Sequence, residues 1–214
     1  MPRTIIFANG ALAHPHAARA LIGPGDRLIA ADGGAAHCLA LGLTPHLVIG
    51  DFDSIAPADL DALQRAGAQL VRHPARKDQT DLGLALETAV REGATDVTIL
   101  GGLGGRWDQT LANLLLPTLP WLAQARVEIA DGQQIIRYLR GPGQMALNGH
   151  PGDTLSLIAL GAGAQGITTT GLEYPLTGGS LQPGSTLGIS NTFTGPQATI
   201  TLDSGLLIIL SFEF

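Results

Sequence analysis

The chain has 214 residues, 45% of them hydrophobic, with 29 glycines and a net charge of −6 from 12 Lys and Arg against 18 Asp and Glu. That composition is globular, and the length suits one large domain or two small ones with a proper core. It lacks the basic stripe on which nucleic-acid binding relies, an internal disulfide is excluded by the single cysteine, Cys38, and no stretch approaches membrane-spanning length.

From the first residues onward, short apolar runs alternate with longer helical patterns. The apolar run Thr4–Phe7 is too short for a signal peptide, so a cytoplasmic location is expected. Strands are predicted at Thr4–Ala8, Arg27–Ala31, Leu47–Ile49, Gln69–Arg72, Val97–Leu100 and Val127–Ala130. Between them, helical spacing predicts helices from Pro57 to Ala66, from about Gln79 to Glu92, and from about Asp108 to Leu116. Gly67, Gly93 and Pro117 act as their stops. This alternation predicts an α/β domain over residues 1–130, with a mostly parallel sheet and flanking helices.

From about Asp131 the helical patterns disappear. Strands are expected at Ile135–Leu139, Thr154–Ala159, Gly166–Thr170, Thr186–Ile189, Ala198–Leu202 and Leu206–Phe212. Turns are expected at Gly141–Gly143, Pro151–Asp153, Gly178–Gly179 and Pro183–Gly184. Residues 131–214 therefore read as an all-β sandwich or barrel-like domain.

Polar motifs in the first half follow the predicted strands. They are Asp32-Gly33-Gly34, Gly50-Asp51-Phe52-Asp53-Ser54, Lys77-Asp78-Gln79-Thr80-Asp81 and Gly101-Gly102-Leu103-Gly104-Gly105-Arg106. In an open parallel sheet, such loops emerge together at the carboxyl edge, where ligands bind. Asp51 and Asp53, two apart in an extended segment, would face one ion, and magnesium between them would hold a polyphosphate. The structural alternative is that Asp53 or Ser54 caps the helix beginning near Pro57. Asp78 and Asp81 have the same ambiguity, as N-cap and capping-box partner, although Lys77 beside them supplies the cation a metal–phosphate site uses. The glycine run allows close approach to phosphate or ribose, and Arg106 adds a forked cation, against the alternative of a simple tight turn. The six histidines have no metal-ligand spacing and read as structural or surface residues.

Taken in order, these motifs resemble those of the thiamine pyrophosphokinases. The resemblance extends through Trp107-Asp108-Gln109 and Leu111-Ala112-Asn113, and in the second half through Gly171-Leu172-Glu173-Tyr174-Pro175-Leu176 and Gly188-Ile189-Ser190-Asn191-Thr192-Phe193. It implies transfer of a pyrophosphoryl group from ATP to the hydroxyl of thiamine, giving thiamine diphosphate and AMP. It further implies Mg2+, a β-sandwich second domain and a homodimer with thiamine at the subunit interface. On that resemblance Asp51, Asp53, Asp78 and Asp81 form the metal and catalytic centre with Lys77. Asp32, Gly33, Gly34, Gly102, Gly104, Gly105 and Arg106 contact nucleotide, while Asp108, Gln109, Ser190 and Asn191 contact thiamine. Many relatives have histidine where this chain has Gln109. Animal members carry a tryptophan near the chain end, where this chain reads Gly205-Leu206-Leu207-Ile208-Ile209-Leu210.

Two competing functions are weighed against this one. A haloacid-dehalogenase-like phosphatase would use Asp51 as a covalent nucleophile, which leaves the glycine run and Ser190-Asn191 without a role. A non-catalytic nucleotide or thiamine sensor would bind without turnover.

Overall fold

The structure, a computed structural model, describes residues 2–76 and 78–212. Contacts divide the chain into two compact units, Met1–Gly132 and Gln133–Phe214.

In the first unit, β1 (Thr4–Phe7), β2 (Arg27–Ala31), β3 (Leu47–Gly50), β4 (Gln69–Arg72), β5 (Asp96–Leu100) and β6 (Arg126–Ala130) pair in parallel in the order β4-β3-β2-β1-β5-β6. Near-continuous apolar strands are what a parallel sheet covered on its faces requires. Ile5, Ile6 and Phe7 of the central β1 are wholly buried, as are Ile29 and Ile99 on its neighbours. The strands connect through α1 (Pro15–Ala20), α2 (Gly34–Ala40), α3 (Pro57–Arg65), α4 (Asp81–Arg91) and α5 (Trp107–Leu115). α4 buries Leu82, Ala85, Leu86 and Ala89, a face spaced by three and four residues. α3 and α4 end as expected, each followed by a glycine in the left-handed region, Gly67 and Gly93.

The chain moves outward from β1 to β4, then returns to place β5 on the other side of β1. The order reverses there, which opens a crevice at the carboxyl ends of the strands.

Two helices were not predicted. α1 and α2 are only 6 and 7 residues long, and neither has a side-chain cap. Position 34, where α2 begins, is glycine because a side chain there has no room: a Cβ would lie 2.1 Å from the Phe7 carbonyl oxygen.

The second unit is antiparallel. Its strands are β7 (Gln134–Arg140), β8 (Gly143–Asn148), β9 (Thr154–Thr170), β10 (Gly179–Leu181), β11 (Asn191–Thr192), β12 (Gln197–Leu202) and β13 (Ser204–Phe212). They run in the order β7-β13-β9-β12-β8, with β10 and β11 also paired to β9. The core between them includes Leu155, Leu157, Ile167, Ile200, Leu207 and Ile209.

Three expectations are corrected in this unit. The segments Thr154–Ala159 and Gly166–Thr170 belong to one strand, β9, which bends through Gly161, Gly163 and Gly166 at positive φ and bulges where its pairing with β13 passes from Leu160 directly to Ala164. Thr186–Ile189 is not a strand. Its Leu187 and Ile189 alternate as a strand would, yet both are exposed and the segment forms turns. Gly143, expected in a turn, instead begins β8.

Among the described residues, no helix is long and apolar enough to cross a membrane.

Candidate active site

A cleft of about 590 Å³ opens at the carboxyl ends of β1, β2, β3 and β5. Each strand contributes its following residues: Asn9 and Gly10 after β1, Asp32 after β2, Asp51 and Asp53 after β3, and Gly104, Gly105 and Arg106 after β5. The first turn of α4 adds Thr80, Asp81 and Leu82, while α5 adds Gln109 and Asn113.

Asp32, Asp51 and Asp53 converge, with one carboxylate oxygen from each lying within 4.8 Å of the others. Such proximity is unfavourable for three anions unless a cation joins them. Asp32 is the informative member. It is 5% exposed, its backbone is left-handed at φ +45°, and its Oδ1 is buried with no hydrogen-bond partner among the described residues. A buried, unpartnered carboxylate oxygen at a cleft wall is costly unless a ligand completes it. All three donors are hard oxygens, the type that Mg2+ prefers. Asp81 is close by as well: a Cβ on Gly50 would lie 2.9 Å from Asp32 Cβ and 3.1 Å from Asp81 Oδ1.

The geometry of the Asp51–Asp53 loop differs from expectation. The two residues do not face one side through an extended segment, because Phe52 between them has φ +65°. A left-handed turn brings the carboxylates together, and the Asp53 N–H donates to Asp51 Oδ1 at 3.2 Å.

The capping alternatives do not hold. The N-cap of α3 is Ala56, with no side-chain cap bond from Asp53 or Ser54; Ser54 Oγ donates instead to Asp53 Oδ1 at 2.8 Å. The N-cap of α4 is Thr80, whose Oγ1 accepts from the Gly83 N–H at 3.2 Å, so Asp78 is not the cap. Asp81 is the first helical residue, where a carboxylate complements the helix dipole.

The remaining expected residues are placed unequally. Asp78 is exposed and does not line the cleft, and Lys77 lies outside the described residues. Gly33 and Gly34 are buried behind the cleft. A Cβ on Gly33 would lie 2.3 Å from Asn9 Oδ1, so these glycines permit close packing at the start of α2. Gly102 has the same character, its carbonyl accepting from buried Asn113 Nδ2 at 2.8 Å. Gly105, by contrast, faces open space at φ +72°.

Arg106 and Asp108 are paired by two bonds, Nε to Oδ1 at 3.1 Å and Nη2 to Oδ2 at 2.5 Å. That fork holds the Asp108 carboxyl below the usual carboxylate range, with help from the Gln109 N–H, and raises Arg106.

In the second unit, Ser190 is exposed with φ +58°, and its N–H donates to Ser156 Oγ at 3.0 Å. The Asn191 amide holds the backbone of Tyr174 on both sides, accepting from its N–H at 3.0 Å and donating to its carbonyl at 2.7 Å.

Asn9 lines the cleft too, as do Gln79 and Thr80, the two members of the Lys77–Asp81 motif that carried no expected site role. Thr80 had a local signal as an N-cap, whereas Asn9 had none.

Residues 19–129 match the family model described as the catalytic domain of thiamin pyrophosphokinase, and residues 144–207 match that of its vitamin B1 binding domain. The thiamine pyrophosphokinase of Bacillus subtilis (strain 168) is 32% identical over 183 residues, 85% of this chain and 85% of that protein. Thiamine pyrophosphokinase 1 of Oryza sativa subsp. japonica is 27% identical over 178 residues, 79% of this chain and 67% of that protein. Among solved structures, thiamine pyrophosphokinase from Bacillus subtilis aligns over 100% of both chains, with a TM-score of 0.89 and 27% identity. That from Geobacillus thermodenitrificans has a TM-score of 0.85 and 28% identity, covering 100% of this chain and 98% of its own.

Proposed function

The chain belongs to the thiamin pyrophosphokinase family, and from that premise we propose how it makes thiamine diphosphate: ATP is attacked at its β-phosphorus by the thiamine hydroxyl, and AMP leaves. The observation that supports this chemistry in the cleft is the buried Asp32 Oδ1, unpartnered among the described residues, beside Asp51 and Asp53. A phosphatase using Asp51 covalently, or a sensor without turnover, is not favoured by the family match.

Asp32, Asp51 and Asp53 are the residues that would hold Mg2+, with Asp81 at their edge and Asp78 further out on the same loop. When bound, the ion neutralises phosphate charge and links the nucleotide to the carboxylates. The protein's own task is then positioning, which supplies much of the rate in phosphoryl transfer. Gly104 and Gly105 let the triphosphate approach the backbone at the mouth of the cleft. Arg106, on the same rim, offsets charge developing on the leaving phosphate, and Lys77 is assigned the same part. Asp108 keeps the Arg106 guanidinium in one orientation, and Gln109 faces the cleft as a thiamine contact. Ser190 and Asn191 belong to the thiamine subsite in this scheme. Asn191 acts there by fixing the Tyr174 backbone.

A homodimer with thiamine at its interface completes the proposal. It is supported by the exposed apolar side chains of Trp107, Leu111 and Leu115, which recur every four residues along one face of α5. Light scattering that gives a single-chain mass at assay concentration would remove the dimer from the scheme.

The activity is tested with ATP, Mg2+ and thiamine, followed by separation of AMP from ADP. Thiamine-dependent AMP release is expected. Release of ADP, or of phosphate without thiamine, would overturn the assignment.

A further inference from the structure

The loop that carries Asp51 and Asp53 has an unusual backbone and an external support. Phe52 is a bulky residue at φ +65°, a conformation that residues other than glycine seldom adopt, and the residue as a whole is 7% exposed. Neighbouring carboxylates that repel one another add to what must be held in place. Nothing within the tripeptide itself fixes this conformation except the Asp53 N–H bond to Asp51 Oδ1, which is 3.2 Å long.

The support comes from β4, the last strand of the parallel sheet. Arg72 ends β4 in register with Gly50, and the His73 N–H donates to the Gly50 carbonyl at 2.8 Å. The Arg72 side chain then reaches over the loop and makes two contacts. Its Nη1 donates to the Asp51 carbonyl oxygen at 2.5 Å, and its guanidinium carbon lies 4.7 Å from the centroid of the Phe52 ring. One planar cation thus holds the backbone on one side of the left-handed residue and covers that residue's side chain. The contact is to the carbonyl of Asp51 and to the ring of Phe52, so the carboxylates remain turned to the cleft that they line.

We infer that Arg72 is a positioning residue of the metal–phosphate centre, which holds the Asp51-Phe52-Asp53 turn in the conformation that aims both carboxylates at one cation. It touches neither substrate nor the reacting atoms. It acts as outer-shell groups do when they orient the donors that bind a metal. The inference rests on the proposal that Asp32, Asp51 and Asp53 hold a divalent ion, and its test separates the two.

The test is a titration with Mn2+ alone, followed by the electron paramagnetic resonance signal of the free ion. It is run on the full chain and on Asp51→Asn, Arg72→Met and Arg72→Lys variants. Methionine keeps an apolar stem on Phe52 but removes the fork and the charge. Lysine restores the charge and one donor. The expected result is Mn2+ binding by the parent chain, loss in Asp51→Asn, and weakening of about tenfold in Arg72→Met. Partial recovery is expected in Arg72→Lys. In steady-state assays the Mg2+ activation midpoint should rise in Arg72→Met while the thiamine KM stays at its parent value.

Parent-like Mn2+ affinity in a folded Arg72→Met variant overturns the role of Arg72 and leaves the metal proposal standing. Absence of Mn2+ binding by the parent chain overturns both. If Arg72→Met does not fold, Arg72→Lys decides: weakened Mn2+ binding with an unchanged thiamine KM supports the inference, and parent-like binding overturns it.

Discussion

Asn191 holds Tyr174 by both backbone groups, with its Oδ1 accepting the Tyr174 N–H at 3.0 Å and its Nδ2 donating to the Tyr174 carbonyl at 2.7 Å. The side chain thereby serves as a short piece of antiparallel strand, fixing residues 171–176 against the start of β11. Oδ1 also accepts the Thr192 N–H at 2.9 Å, so both lone pairs of the amide oxygen and one of its two N–H donors are engaged within the protein. An Asn in a thiamine subsite would therefore act through loop geometry. Asn191→Asp turns the Nδ2 donor into an acceptor facing a carbonyl. It should cost about 1–2 kcal/mol in urea unfolding. The thiamine KM should rise with it, while the ATP KM stays near its parent value.

Asp32 makes the opposite prediction. Its Oδ1 has no partner among the described residues and its backbone is left-handed, which Asn tolerates at least as well as Asp. Asp32→Asn should leave the melting temperature unchanged or raised, since a buried charge is removed without loss of a bond to Oδ1. Turnover should fall by at least about a hundredfold, as expected when a metal-binding carboxylate is neutralised. A variant that loses stability yet keeps turnover would make Asp32 a structural residue.

The glycines of the two loops divide into packing and access. Gly34→Ala places a Cβ 2.1 Å from the Phe7 carbonyl oxygen, a clash between backbones that no rotamer relieves. It should destabilise the chain by about 3 kcal/mol or more in chemical unfolding, or prevent folding. Gly105→Ala meets open space, and only its φ of +72° is penalised. That should cost about 1–2 kcal/mol, with a raised ATP KM as the clearer effect.

The Arg106–Asp108 fork can be followed by pH. The Asp108 carboxyl is depressed in the folded chain, so the pair is complete above the ordinary carboxylate range near about 3.9 and is lost as pH falls through the lowered value. An NMR titration of Asp108 should show a midpoint below that range. Arg106→Gln should return it upward. Both side chains are exposed, so thermal stability should not follow this titration. The ATP KM of Asp108→Asn should rise, because Arg106 then loses its fixed orientation.

Local patterns determined much of this protein. The strands β1 to β6 are legible because a parallel sheet covered on its faces demands short, nearly continuous apolar runs, which are buried everywhere but in the edge strand β4. α3 and α4 are legible from their apolar spacing and from the glycines that end them. The acidic and glycine-rich loops could be placed at the carboxyl edge because every parallel strand points the same way. Their resemblance to a known family identified the chemistry.

Other features depended on contacts that no local pattern records. Thr186–Ile189 has the alternation of a strand, yet it touches β9 through a single backbone bond among the described residues, from the Leu157 N–H to the Gly188 carbonyl at 2.8 Å, and forms no ladder, so Leu187 and Ile189 stay exposed. β9 continues through Gly161, Gly163 and Gly166, which read locally as breaks, because β13 and β12 pair with it on either side. α1 and α2 are too short and too weakly capped to be read from the chain.

The acidic centre shows the same division. The sequence alone made Asp51 and Asp53 a candidate pair, but Asp53 and Ser54 could equally have capped a helix, as Asp78 and Asp81 could have done. Only the folded chain gives the first turn of α4 to Thr80 and turns Phe52 into the left-handed region. It also buries one oxygen of Asp32 against the same cleft, 19 residues earlier in the chain than Asp51. The physical reason is that a carboxylate's role is set by what else reaches it, and across a parallel sheet those partners come from distant strands.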